Sequence, residues 1–544
     1  MKHRTQGKPL VTFLFVFAAL FALYLNFILN DVSEPREIIE TYADNDPDLF
    51  SRATSWTLQN PLQQEIPPSA LSFEDSNQNA KAALGPDNVQ VAKNQPSIAS
   101  LLKFSPDAMF LRNEPSQAAP TPVNASIPKQ IGPLQLLSID FHISPIADLK
   151  DVFGKSSNET VIHDFSLSGA CGQKGTCSNG RINIREDLST LYLTQQTKED
   201  FYNAYRGTDS LVKKMDAMIC SHPSGMCELI MPFNRTVILW VTTRFEQGRE
   251  GNADKMIGLI ANIRAIAKKP DTSILANNMY DVHYFNYFTG LNPVYIPSFC
   301  DYTGAKYSWD GAQNIILMHG FRPRRNVIPA SEFVADIRRL APQFKFEFVR
   351  DVYPGHYGYN QIAGHPAMLH IPYQGSIMSF FEHYRMCIPL IAPSVDLLVE
   401  WHMHYRMVSE RTWDMALHNQ ETSASVLPRN PEASPLHVFD PNDETNAEGV
   451  RYWLQFSDFY TFPHVILFDS WEDLAQKLAK ADLLSISNAM CTFNKEELAR
   501  IEAEWRKVLG KVPPASTRPI MSPALSYTDA MNSIFGQHEW MAYQ

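Results

Sequence analysis

At 544 residues the chain is too long for one ordinary hydrophobic core, so two large folded units are expected. A hydrophobic content of 44% with 19% charged residues belongs to a globular protein, and a net charge of -11 excludes general nucleic-acid binding, which needs a concentrated positive surface. Seven cysteines cannot hold so long a chain as a disulfide scaffold, though they allow a few bridges in an oxidising compartment.

Residues 1–10 carry Lys2, Arg4 and Lys8 and precede the apolar run "VTFLFVFAALFALYLNFIL", Val11 to Leu29. As a helix that run spans about 28 Å, enough for a hydrocarbon core. The basic flank before it predicts a transmembrane signal anchor at 11–29, single-pass and type II, with the body in the lumen of the Golgi or endoplasmic reticulum. A cleaved signal peptide is the alternative, but its apolar region is ordinarily shorter. Residues 30–130 are rich in Pro, Ser, Gln, Asn and Ala and read as a largely disordered stem. Asn-x-Ser/Thr triplets at Asn124, Asn158 and Asn234 agree with a secretory lumen. The pairs Cys171/Cys177 and Cys220/Cys227 are spaced for local bridges; a zinc site competes, but no second tight pair or histidine cluster completes one.

From residue 131 the texture changes. "LQLLSIDFHI", "ETVIHDFSL" and "NRTVILWVTTRF" read as buried strands, "NADKMIGLIANIRAIAK" as a helix, "TSILANN" as a strand and "MYDVHYFNYFTGL" as a helix. The proline- and glycine-containing "NPVYIPSFCDYTGAKYSWDGA" reads as a connection between lobes. The pattern then restarts with strand "NIILM", helix "PASEFVADIRRLA", strands "FKFEFVR" and "AMLHI", a helix within "SIMSFFEHYR" and strand "PLIAPS". "HVILFDSWEDLAQKLAKA" and "NKEELARIEAEWRKVLG" close it as strand-helix and long helix. Buried short strands alternating with amphipathic helices predict an α/β protein of two facing, doubly wound Rossmann-like lobes, 131–300 and 301–480, with closing helices and tail at 481–544.

Open α/β sheets bind ligands beyond the carboxyl ends of their strands. In the second lobe Gly320 follows a strand directly, and Arg322, Arg324 and Arg325 follow it with guanidinium groups suited to phosphate; a solvated basic turn is the plainer reading of any one of them. In "YQGSIMSFFE", Gly375 and Ser376 stand where a strand hands over to a helix, a place that suits a diphosphate. Glu382 lies about 9 Å further along the helix by rise, placed to accept from sugar hydroxyls; otherwise it is an exposed acid paired with Arg385. In the first lobe, Arg244 and Glu246 end the strongest strand, Asn277 and Asp281 end the next, and His222 lies between the paired cysteines with Glu228 just past the second, all as cleft candidates. A capping or solvated role is the plainer reading of each.

The stretch "HIPYQGSIMSFFEHYRMCIPLIAPS" and the loop "LMHGFRPRR" resemble the carboxyl-terminal lobe of the GT-B superfamily of glycosyltransferases. The resemblance implies a nucleotide-sugar donor held by His370, Gly375, Ser376 and Glu382, with the Gly320 loop and its arginines on the phosphates. It implies a glycan, protein or lipid acceptor at the first lobe, where His142, with Asp140, takes the place of the base found in some inverting members; His163 beside Asp164 resembles that arrangement. Glu382 has no partner glutamate seven or eight residues away, which leaves retention or inversion open. No Asp-x-Asp triplet follows a strand of either lobe, so no essential metal or other cofactor is expected. The rival readings are an inactive luminal carbohydrate-binding or scaffold protein and a glycan sulfotransferase, whose phosphosulfate loop would need glycine and lysine where "SIDFHISPIADLK" has neither at the required place. No Gly-x-Ser-x-Gly elbow marks a hydrolase.

Overall fold

The computed structural model describes residues 132–156, 160–168, 171, 177, 193–207, 210–321, 323–325, 329–519 and 521–542. Six short strands form the first sheet: β1 (Leu134–Asp140), β2 (Thr160–Ser166), β3 (Ala217–Cys220), β4 (Thr236–Val241), β5 (Ser273–Ala276) and β6 (Val294–Tyr295). They are all parallel, in the order β2-β1-β3-β4-β5-β6. Every residue of β4, TVILWV, is buried, the condition of a strand covered on both faces. One face packs Leu137, Met218 and Leu239 against α2 (Gln195–Tyr205), α3 (Ala253–Ala267) and α4 (Met279–Thr289). The other packs Leu136, Ile219 and Trp240 against α1 (Ile143–Ser156). Asn252 and Asn278 begin α3 and α4 by accepting the backbone N–H three residues on, which satisfies donors that the first turn leaves open.

The second sheet contains β7 (Ile315–Met318), β8 (Lys345–Phe348), β9 (Met368–Leu369), β10 (Leu390–Pro393) and β11 (Ile466–Phe468), again parallel, in the order β11-β10-β9-β7-β8. Counted from each lobe's first strand, both sheets share the order 2-1-3-4-5, and the first carries one strand more. Their topological switch points lie between β1 and β3 and between β7 and β9, where the chain leaves the sheet in opposite directions and opens a crevice. α5 (Met378–Arg385) joins β9 to β10, while α6 (Val395–Tyr405) and α7 (Trp471–Lys480) pack on the sheet through Leu398, Trp401, Leu474 and Leu478.

α8 (Leu483–Leu509) spans both cores. Its Met490 packs with Phe380 and Tyr384 of the second lobe. About four turns later Trp505 meets Trp240 and Phe153 of the first lobe edge-on, at ring separations of 5.6 and 5.2 Å. A disulfide between Cys387 and Cys491 fastens the end of α5 to this helix.

Several expectations are corrected here. No helix among the described residues is long and apolar enough to cross a membrane. Even α8, 27 residues long, carries Lys495, Glu496, Glu497, Arg500 and further charges that no bilayer core accommodates. The expected anchor (11–29) and stem (30–130) lie outside the described residues. The fold is therefore two parallel-sheet lobes, and the type II topology, the membrane partner and the Golgi or endoplasmic reticulum location are withdrawn. Cys171 and Cys177 are bonded, but Cys220 and Cys227 are free thiols buried in the first core, and the bridge unforeseen in the sequence is Cys387–Cys491. β3, whose four residues lie just before the cysteine loop, and β6, inside the supposed connection, were too short to stand out. The single helix expected over 329–341 is two, Ala330–Phe333 and Ala335–Leu340.

Because the Cys387–Cys491 bond closes a separation of 104 residues, Cys491→Ser is expected to cost about 2–4 kcal/mol in guanidinium unfolding. Cys171→Ser, which opens a separation of six, is expected to cost less.

Candidate functional site

The first switch point is built from residues that follow β1, β3 and β4. Asp140, the last residue of β1, is fully buried and accepts from the Ser166 hydroxyl of β2 at 3.1 Å. Burial and the neighbouring Asp164 carboxylate push its carboxyl well above the ordinary range. His142 follows, half-buried, with Nδ1 accepting the Ser144 N–H at 3.3 Å. A neutral ring that accepts at Nδ1 carries its proton on Nε2, so this hydrogen bond presents His142 as a donor rather than as the expected base. His222, just after β3, meets the His142 ring edge-on at 5.5 Å. Burial lowers both imidazoles, to about 4 and about 3, and Arg244 adds to the lowering of His222.

Arg244 follows β4 and is 2% exposed, its guanidinium 4.5 Å above the ring of Trp413. Glu246 accepts from the Tyr284 hydroxyl at 2.6 Å, and burial pushes its carboxyl up to about 8. After β5, Asn277 donates to Ser298 at 3.0 Å, and Asn278 donates to Asp281 at 2.7 Å. Burial raises Asp281 to about 6 against the opposing pull of Arg244. Two predicted candidates, His163 and Glu228, lie elsewhere, while Asp164 borders the site through Asp140. His163 sits within edge strand β2 on Gln135, at 2.8 Å, and the adjacent Asp164 pairs with Lys150 at 3.6 Å. Glu228 is a core acid between Asn262, Arg249 and Lys198. Among the triplet asparagines, Asn234 accepts from Lys269 through its side-chain oxygen at 2.8 Å, while Asn124 and Asn158 lie outside the described residues.

At the second switch point His319 follows β7 and His370 follows β9, their rings stacked at 5.3 Å and 16°. His370 Nε2 lies 3.0 Å from His383 Nδ1 of α5, and His319 Nε2 lies 3.3 Å from the Ser379 hydroxyl. The Tyr373 ring also stacks with His319, at 6.1 Å and 17°. Burial holds His370 well below its ordinary value and lowers His383 to about 3, so these two rings act through hydrogen bonds rather than as charges.

The turn before α5 is already engaged by the chain. A Cβ on Gly375 would come within 2.8 Å of the Tyr280 ring from the first lobe, so only glycine fits there. The Gly375 carbonyl accepts from Ser457 at 2.5 Å, and the Ser376 hydroxyl donates to Asp458. Burial raises the Asp458 carboxyl well above its ordinary value, and Asp281 across the lobes adds to it. Glu382 accepts from the hydroxyls of Tyr302, at 2.5 Å, and Tyr359, at 3.0 Å. Arg385, its plainer partner, instead covers Phe299 and bonds Asn494. Gly320 is exposed, with open space where a side chain would stand. Arg322 lies outside the described residues. Arg324 and Arg325 donate their backbone N–H groups to Tyr405, and the Arg325 guanidinium pairs with Glu421, which also binds Arg406.

The His142 ring thus meets His222, Ser376 bonds Asp458, and His222, Arg244, Asp281 and Asp458 feel one another's charge in turn from lobe to lobe. His319, His383, Ser379, Tyr280, Trp413 and Asp458 were not foreseen. His319 alone carried a usable signal, a histidine directly after a strand like His370. Among the described residues no group of three or more His, Cys, Asp or Glu is arranged to hold a metal ion.

No protein-family model matches the chain, and no curated protein matches it. Among solved structures, the crystal structure of CalG4, the calicheamicin glycosyltransferase, aligns with 71% of this chain and 100% of its own at 10% identity and a TM-score of 0.34. That likeness is weak and partial. It assigns no family, and the membrane-anchored resemblance drawn from the sequence is cut back to two parallel-sheet lobes with no helix among the described residues long and apolar enough to cross a membrane.

Gly375→Ala is expected to lower stability by about 1–3 kcal/mol through overlap with Tyr280, and Tyr280→Leu in the same chain to restore part of it, as read by thermal unfolding. Since Glu246 holds its proton up to about pH 8 in the folded state but only to about 4.5 when unfolded, its contribution falls as pH rises through that window. Glu246→Gln removes this loss, so the midpoint difference between variant and parent is expected to grow in the variant's favour from pH 5 to 8. A constant difference would mean that Glu246 is ionised throughout.

Proposed function

We propose that this chain is a metal-independent glycosyltransferase that moves a sugar from a nucleotide-sugar donor to a glycan, protein or lipid acceptor. The observation that carries the reading is the pairing of two 2-1-3-4-5 lobes whose strand ends meet through one run of polar neighbours. Crevices at such switch points are the places where open α/β sheets take nucleotides and their substrates. The donor belongs to the second lobe, where His319, His370 and Ser379 offer hydrogen-bonding groups to phosphate oxygens beside the start of α5. Glu382, held by Tyr302 and Tyr359, takes ribose or sugar hydroxyls. The acceptor belongs to the first lobe beside His142 and His222. Proton removal from the acceptor requires the His142 ring to give up its bond from Ser144 or His222 to serve instead.

A second reading draws on the turn at Gly375 and Ser376. Tyr280, Ser457 and Asp458 fill it, as suits a carbohydrate-binding or scaffold protein without turnover. Incubating the purified chain with a panel of nucleotide sugars separates the two. The transferase releases free nucleotide from one donor at a rate unchanged by chelator, and Glu382→Gln lowers kcat/KM about 10- to 100-fold. Sugar binding with no nucleotide released from any donor would leave the binding protein.

A further inference from the structure

The guanidinium of Arg244 has an unusual local arrangement. One face is covered by the Trp413 indole, whose N–H also donates to the Arg244 carbonyl at 3.2 Å. Its Nε and Nη2 groups are buried and make no hydrogen bond. Those two N–H groups form the edge of a guanidinium that grips a carboxylate or phosphate through two parallel bonds. Leaving both unmade in the interior costs the full desolvation of charged donors, so the edge is built for a partner the chain itself does not provide. Next to it Asp281, also 2% exposed, spends one carboxylate oxygen on Asn278 and has its other oxygen, Oδ1, buried without a donor. Asp458 across the lobes likewise has a buried Oδ1 without a donor.

The two kinds of group ask for different things from one ligand. The Arg244 edge asks for an oxyanion, and the aspartate oxygens ask for hydroxyl donors. We infer that this end of the cleft recognises a sugar bearing an oxyanion, which lies on the Nε and Nη2 edge of Arg244 while a hydroxyl of the same ring donates to Asp281. The inference rests on the glycosyl-transfer reading for its setting, but the recognition itself needs no transfer. The nearby acids do not oppose it equally: Glu246 is already bonded to Tyr284, and its burial keeps it protonated at neutral pH. Arg385 shows the same two unmade bonds, yet it ends α5, at the end of the helix away from the strand carboxyl termini, over the Phe299 ring and on Asn494. Only Arg244 of the two stands at a switch point.

Calorimetric titration of the full chain with glucuronate, glucose 6-phosphate and methyl glucoside tests this. At least one of the two charged sugars is expected to bind ten-fold or more tightly than the neutral one, and which of them binds distinguishes a carboxylate from a phosphate ester. Arg244→Gln is expected to abolish the preference. Arg244→Lys, which keeps the charge but loses the parallel pair of donors, is expected to weaken the charged sugar ten-fold or more and carries the test if the glutamine variant does not fold. Equal binding of all three sugars, binding of none, or charged-sugar affinity unchanged in Arg244→Lys would overturn the inference. Charged-sugar binding through Arg244 with no nucleotide sugar consumed would instead end the transferase reading and leave the subsite standing.

Discussion

Gly375 lies so close to the ring of Tyr280 that no side chain can be inserted between them, and the meeting of the two lobes is organised around that contact. It brings the start of α5 against the start of α4, so a helix beginning in each lobe abuts one in the other. Around it, Ser376 reaches Asp458, Gly375 accepts from Ser457, and Asn277 lies 3.9 Å from the sulfur of Met378. α8 holds the arrangement from behind, with Met490 in one core and Trp505 in the other. A close backbone approach of this kind needs rigid support on both sides, since packed interiors transmit rather than absorb a displacement of an ångström.

The closeness has an electrostatic consequence. Groups drawn out of water lose their charge where no partner compensates it. His142, His222, His370 and His383 are therefore all held neutral well below physiological pH, while Glu246 keeps its proton above it. Among these buried imidazoles and the protonated Glu246, Arg244 stands as a cation. Burial of this sort strengthens each hydrogen bond that a ligand makes and penalises each one that it leaves unmade.

Much of the architecture was legible in the chain because parallel strands covered on both faces must be continuous apolar runs. TVILWV in β4 and the helix after it could hardly be anything else. β3 was not legible, since four residues, AMIC, give no period to read, although it lies at the centre of the first sheet. The candidate site divides in the same way. Residues directly after strong strands, such as His142, Arg244 and His370, could be found because the strand end places them. Arg325 and Glu228 also looked functional by type and position, but their partners Glu421 and Lys198 are distant in sequence and bind them into the frame.

The sequence by itself determined two α/β lobes, the strand ends at which chemistry must lie, and the strand-turn-helix from His370 through Glu382. These follow from local periodicity and from turn chemistry, which neighbouring residues decide among themselves. Only the tertiary structure decided that Ser376 is committed to Asp458, that Glu382 answers to two tyrosines, and that Arg244 keeps an edge of donors unpaired beside Asp281. Each of these depends on which side chain arrives from the other lobe or from a distant loop. That is set by the packing of whole layers, and no local stretch of sequence contains it.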